Sequence, residues 1–207
     1  MSTSSPPSHL ESQTPKREDA EHQPYFCEEN IWRWVQRDDV KNLSGLRNLQ
    51  VLFISGNGEA FVMGEQRAGK GEFGVVTWDY HVVAAGIFEE QWCIFDLDTR
   101  LPFPCSAKRY LDACFYPSLC EEWLPSFRHM SSEAFVEIFQ SDRGHMKDDS
   151  GLWRAPPPSW PPPSTKGNNI GEFADMTEET PGQVLSLQET IARFSNVPRA
   201  SGDKNDD

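Results

Sequence analysis

The sequence predicts one α+β domain, an antiparallel sheet packed with helices, and three observations carry that prediction. Apolar residues concentrate between Tyr25 and Phe194. Inside that span, runs rich in Val, Ile, Trp and Phe come first, at Leu49 to Ile54, Val75 to Ala85 and Gln91 to Leu97, a composition that suits pleated strands. Segments with helical spacing and capping residues then follow, from Ser106 onward. At 207 residues the chain is long enough for one such domain with a core of its own.

Taken in order, residues 1–23 hold Leu10 among Ser, Pro, Glu and Lys, too little apolar surface to offset chain entropy, so a disordered tail is expected there. The acidic stretch 196–207 reads the same way, which leaves residues 24–195 as the domain. Glu28 to Gln36 places Ile31, Trp32 and Val35 on one helical face. Glu28 and Glu29 fall in its first turn, where the helix dipole favours negative charge, and Cys27 stands at its start. Leu49 to Ile54 is a strand stopped by Gly56-Asn57-Gly58, and a second strand near Ala60 to Met63 is expected to pair with it. Val75 to Ala85 and Gln91 to Leu97 are close enough to form an antiparallel hairpin. Ser106 can cap a helix over Lys108 to Phe115, and Ser131 or Ser132 one over Glu133 to Phe139. Ser186 and Glu189 form a capping box for a last helix that carries Leu187, Ile191 and Phe194 inward. The run Ala155 to Ser164, APPPSWPPPS, has polyproline II character. It is expected to wrap the body, with Trp153 and Trp160 as anchors, rather than to serve a Pro-reading partner.

Composition narrows the function. A net charge of −13 without a Lys/Arg cluster argues against nucleic acid. No apolar stretch is long enough for a signal peptide core or a membrane span, so a cytoplasmic, and also nuclear, protein acting as a monomer is expected. Cys27, Cys93, Cys105, Cys114 and Cys120 are odd in number and irregular in spacing, a poor framework for disulfides or structural zinc. Four of them are expected to be small core residues.

The chemistry gathers at Trp78-Asp79-Tyr80-His81-Val82 and Phe95-Asp96-Leu97-Asp98-Thr99. Alternation puts Asp79 and His81 on one strand face and turns Trp78 and Tyr80 to the other, toward the core. A hairpin turn centred between Phe88 and Glu89 sets Asp96 opposite His81, and one centred between Glu89 and Glu90 sets Asp98 there instead. Either carboxylate would fix the imidazole tautomer, leaving the other ring nitrogen to take a proton from a nucleophile. Cys27 is the candidate nucleophile, because a helix start offers partial positive charge and free N–H groups that lower a thiol pKa and hold an oxyanion. Glu28 and Glu29 oppose that effect unless they point away. The plainer readings are a buried core cysteine and a hydrogen-bonded core histidine. A metal at His81, Asp96 and Asp98 would need further ligands, and His129 and His145 stand in unrelated contexts.

Longer words of sequence point further. Tyr25-Phe26-Cys27-Glu28-Glu29-Asn30-Ile31-Trp32, Trp78 to Val83, Asp96 to Thr99 with Leu101-Pro102-Phe103-Pro104-Cys105, Ser141 to Asp148, and Gly151-x-Trp153-Arg154 together resemble the protein N-terminal glutamine amidohydrolase family. The resemblance runs in motif order from about Tyr25 to Phe194. It implies a Cys27, His81, Asp96 triad on a papain-like or transglutaminase-like fold, with no metal or organic cofactor. It also implies deamidation of a free N-terminal Gln of a protein or peptide, in the service of an N-degron pathway. Such a substrate needs a receptor for its α-ammonium, for which Glu28, Glu29, Asp79, Asp98 and Asp142 are all eligible. The rivals are another thiol hydrolase or transglutaminase using the same triad, an inactive module that binds peptide termini, and an adaptor acting through its Pro-rich run.

Overall fold

A computed structural model describes residues 14–56, 60–177 and 180–198. Its frame is a six-stranded sheet in the order β6-β5-β4-β1-β7-β8, antiparallel at every pairing. The strands are β1 (Arg47–Ser55), β4 (Tyr80–Phe88), β5 (Gln91–Phe95), β6 (Cys105–Ser106), β7 (Ser126–Ser131) and β8 (Gln183–Ser186). A separate ribbon pairs β2 (Phe61–Met63) with β3 (Val76–Trp78). Helices α1 (Cys27–Trp34), α2 (Asp38–Lys41), α3 (Ala107–Cys114), α4 (Ser132–Ile138), α5 (Ile170–Ala174) and α6 (Leu187–Phe194) complete the domain.

Both faces of the sheet are covered, which explains why β1 and β4 read as unbroken apolar runs. Val51, Phe53, Val82, Ala84 and Phe95 pack with Ile31 and Trp34 of α1, Phe135 of α4 and Phe173 of α5. Leu52, Ile54, Val83, Ala85 and Ile94 pack on the reverse with Tyr110 and Leu111 of α3 and with Leu187 and Phe194 of α6. A strand that is solvated on one side alternates; these central strands are not, and their side chains are apolar in both directions. Among the described residues, no helix is long and apolar enough to cross a membrane.

Several expectations need correction. The strand near Ala60 to Met63 pairs with β3 rather than β1, because both edges of β1 are occupied by β4 and β7. The run Val75 to Ala85 is two strands, broken at Asp79. The turn at Gly56-Asn57-Gly58 lies largely outside the described residues. Strands β6, β7 and β8 had no strand signal that composition could separate from the helical pattern around them. Three cysteines beyond Cys27 are buried, but Cys120 is exposed, and all five thiols are free. Two of the three expected caps form: Ser131 Oγ accepts from Ala134 N at 3.2 Å, and Ser186 and Glu189 form the reciprocal box, whereas Ser106 stands at the N-cap of α3 without a side-chain cap hydrogen bond.

Residues 14–23, assigned to a tail by composition, lie against the domain, while residues 1–13 and 199–207 are outside the described part. Arg17 Nη2 donates to Leu101 O at 2.7 Å, its guanidinium sits 5.4 Å from the Phe103 ring centroid, and His22 Nε2 meets Asp98 Oδ1 at 2.7 Å. These anchors are polar and cationic, so counting apolar residues overlooks them.

The Pro-rich run does wrap the body, through a buried ion pair. Glu29 is fully buried, and Arg143 grips it in a fork, Nε to Oε1 and Nη2 to Oε2, both at 2.8 Å. Trp160 Nε1 also donates to Glu29 Oε2, at 3.0 Å, and Arg143 reaches the Pro158 and Trp160 carbonyls. Trp160 is thus an anchor, but Trp153 is 40% exposed, with the Lys147 ammonium 4.7 Å from its ring centroid. Removing one partner of a buried pair leaves the other charge uncompensated. Arg143→Ala should therefore cost about 3–5 kcal/mol in urea denaturation. Arg143→Lys should recover part of that loss, since it keeps the charge but not the two-pronged geometry.

Candidate active site

Cys27 is the first residue of α1, as its position after Phe26 suggested. The approach to it is held locally. Asn30 clamps Gln23 from both sides, accepting from its N–H at 2.9 Å and donating to its carbonyl at 2.8 Å. Tyr25 turns the chain in the left-handed region, at φ 69°. Phe26 is buried and offers no side-chain cap, so the first-turn N–H groups keep the unsatisfied character of any helix start. The Cys27 thiol donates to Glu28 Oε2 at 3.6 Å. Burial pushes this thiol well up, and Glu28 and Asp98 push it further, against the pull of the Val82 N–H. Burial and these carboxylates thus oppose the lowered pKa that the helix start alone suggests.

His81 lies near the start of β4 and is buried against Asp96, with Nε2 3.2 Å from Asp96 Oδ1. The hairpin itself would have named the other aspartate. Phe88 pairs with Gln91 across a turn whose residues Glu89 and Glu90 both have positive φ, 49° and 58°, so the centre lies between them. Continued at that register the ladder would set Asp98 opposite His81. Pairing stops at Ala84 and Phe95, and Asp96 reaches the imidazole from the diagonal position instead.

Donors from elsewhere hold Asp96 in place. Tyr110 Oη and Gln66 Nε2 donate to its Oδ2 at 2.8 and 3.2 Å, and Asp98 N donates to Oδ1 at 2.8 Å. Burial pushes the Asp96 carboxyl up, but His81 and these hydrogen bonds outweigh it and bring the carboxyl to about 2. Burial likewise pushes His81 down, and Asp96, then Asp98 and Glu28, more than offset that and leave the ring raised. Gln66 and Tyr110 escaped sequence reasoning because neither stands near Asp96 in the chain.

Cys27 and His81 open onto one cavity of about 360 Å³, shared with Tyr25, Trp78, Asp79, Tyr80, Asp98, His145, Met146 and Arg154. Trp78 and Tyr80 were expected in the core, yet both form its wall. The break at Asp79 resets the alternation, so Trp78 stacks on the His81 ring with centroids 5.9 Å apart and planes 10° from parallel. His145 was expected to be unrelated, and it stands here too, its Nε2 3.3 Å from Tyr80 Oη and 3.5 Å from Glu28 Oε1. His129 does lie apart, in β7, where burial lowers it to about 3. Among the described residues, His81, Asp96 and Asp98 are the only group with metal-compatible spacing, within 4.8 Å of one another. Their oxygens already accept from Tyr110, Gln66, the Asp98 N–H and His22.

Comparison with known proteins agrees with this arrangement. A family model described as N-terminal glutamine amidase matches residues 22–194. A protein N-terminal glutamine amidohydrolase of Bos taurus is 36% identical over 194 residues, covering 91% of this chain and 93% of the relative. Proteins of the same name from Drosophila ananassae and Drosophila melanogaster are 34% and 33% identical, each over 92% of this chain and 96% of the relative. With a thiol, an imidazole and a carboxylate gathered at one cavity and matches that span nearly the whole chain, the protein belongs to the N-terminal glutamine amidase family, whose named members are amide hydrolases.

Proposed function

We propose that this protein hydrolyses the side-chain amide of a glutamine at the amino terminus of a protein or peptide, giving glutamate and ammonia, with Cys27 as nucleophile, His81 as base and acid, and Asp96 as the group that orients the imidazole. The observation that carries the reading is the meeting of Cys27 and His81 at one cavity, with Asp96 on the Nε2 side of the ring. That leaves Nδ1 as the nitrogen free to serve the thiol. A thiol at the start of a helix packed on an antiparallel sheet that supplies the imidazole also supports a papain-like or transglutaminase-like descent of the fold.

In the first half-reaction the Cys27 proton passes to His81 Nδ1 as the sulfur attacks the amide carbon. The carbonyl electrons move onto oxygen, and the resulting oxyanion is met by N–H groups of the α1 first turn. His81 returns the proton to nitrogen, the C–N bond breaks, ammonia leaves and a thioester remains. A water then gives its proton to His81 and attacks the thioester, and the thiol is regenerated as glutamate departs. Asp96 stabilises the imidazolium at both stages without itself being protonated. Every step uses groups of this chain and water. Converting terminal glutamine to glutamate suits an N-degron pathway of the cytoplasm or nucleus, and we assign the protein that place.

Three outcomes test the reading. Ammonia release should be confined to peptides with a free terminal Gln; comparable release from N-acetylated, internal-Gln or terminal-Asn peptides would sink it. Cys27→Ala should abolish release with little change in denaturation midpoint, and Cys27→Ser should be nearly as inactive, because a hydroxyl ionises far less readily. The acid limb of kcat/KM should lie above 6.5, since His81 is raised and its protonated form cannot accept the thiol proton. In Asp96→Asn burial acts without the opposing charge, so that limb should move to lower pH while kcat falls roughly 100-fold; a pH profile that does not shift would remove Asp96 from its role.

A further inference from the structure

The geometry points to Asp98 as the receptor for the substrate's α-ammonium group, an assignment that rests on the terminal-glutamine reading above. Five carboxylates were eligible by sequence, and the structure separates them. Glu29 is spent on Arg143 and Trp160. Asp142 accepts from its own Gly144 N–H at 2.8 Å and takes no part in the cavity wall. Asp79 is in the wall but exposed to solvent, where a charge pair contributes little. Glu28 is fully buried and does not line the cavity: its Oε2 accepts from the Cys27 thiol, and its Oε1 has no hydrogen-bond partner among the described residues but lies 3.5 Å from His145 Nε2.

Asp98 alone combines a place in the wall with a sheltered and fixed carboxylate, its side chain 15% exposed. Its N–H is bound to Asp96 Oδ1 and its carbonyl accepts from Arg67 N at 2.9 Å, so the backbone cannot swing. His22 holds Oδ1 at 2.7 Å, and Oδ2 has no hydrogen-bond partner among the described residues. A pre-positioned carboxylate with one open oxygen is what an ammonium group needs.

The reach also fits. The Asp98 carboxylate lies within 4.8 Å of a His81 ring nitrogen. In glutamine the amide carbon and the α-nitrogen are separated by four bonds, roughly 5 Å when extended. One residue can therefore present its amide at Cys27 and His81 while its ammonium rests on Asp98. A peptide with no free amine would bury that carboxylate unpaired, a penalty that falls on the wrong substrate. Asp98 is also one of the charges that hold the Cys27 thiol up, so a cation docked there eases the ionisation that attack requires.

The test compares a terminal-Gln peptide with the same peptide whose α-amino group is replaced by hydrogen, scoring ammonia release as the ratio of kcat/KM values. Asp98→Asn should lower that ratio about 30-fold or more, the effect of truncating one partner of a sheltered charge pair. An unchanged ratio, with both rates falling in parallel, overturns the assignment, as does a collapse of the ratio in Glu28→Gln but not in Asp98→Asn. If Asp98→Asn is too slow to assay, calorimetric titration of the two peptides in a Cys27→Ala background decides. Adding Asp98→Asn should erase the difference in Kd, and a difference that survives rejects Asp98. A wild-type protein that releases no ammonia from the terminal-Gln peptide would instead defeat the underlying function, which keeps the two failures apart.

Discussion

Everything near the cavity is arranged around one requirement, that the buried carboxylate of Asp96 be met on all sides. Four groups meet it: the His81 ring from β4, the Tyr110 hydroxyl from α3, the Gln66 amide from the segment after β2, and the N–H of Asp98. Each donor arrives from a different part of the chain, so the ionised carboxylate is satisfied only when sheet, helix and connecting segment are all in place. An unmet charge at this depth would be far more costly than any single contact it makes. Folding and the orientation of the imidazole are thereby one event. The Glu29–Arg143 pair does the same on the other side of Cys27, tying the first turn of α1 to the Pro-rich run.

How much of this could be read from the chain depends on whether a feature is local. Cys27 at a helix start, the capped helices α4 and α6 and the hairpin of β4 and β5 are written in consecutive residues, and they were legible. Positions decided by distant partners were not. Alternation along Val75 to Ala85 assumed one strand, and the break at Asp79 placed Trp78 on the His81 face. Register geometry left Asp96 and Asp98 both eligible, because nothing in a hairpin pattern says where the turn is centred or where pairing ends; only the family resemblance pointed to Asp96. The segment 14–23 was read as tail because its anchors are a guanidinium and an imidazole, which hydrophobic counting cannot see.

The electrostatic character of the cavity is the reverse of what a helix start alone implies. Although Arg154 stands in the wall, the charges that act on the sulfur are those of Glu28, Asp98 and Asp96, and burial removes the water that would soften them. A cavity of this sign attracts cations and disfavours a resting thiolate. The arrangement makes sense for an enzyme whose proposed substrate arrives carrying the compensating charge. In the proposed mechanism, nucleophile, base and recognition are coupled through the same few carboxylates.

The surroundings that oppose ionisation of Cys27 have a further consequence for durability. Peroxides and alkylating agents attack the thiolate, and oxidation to sulfenic acid or mixed disulfide follows thiolate character and exposure. A cysteine that is 9% exposed as a residue, and whose ionisation burial and Glu28 oppose, offers these reagents little of either. The burial and charge that oppose ionisation of the proposed nucleophile thereby also shield it from redox damage.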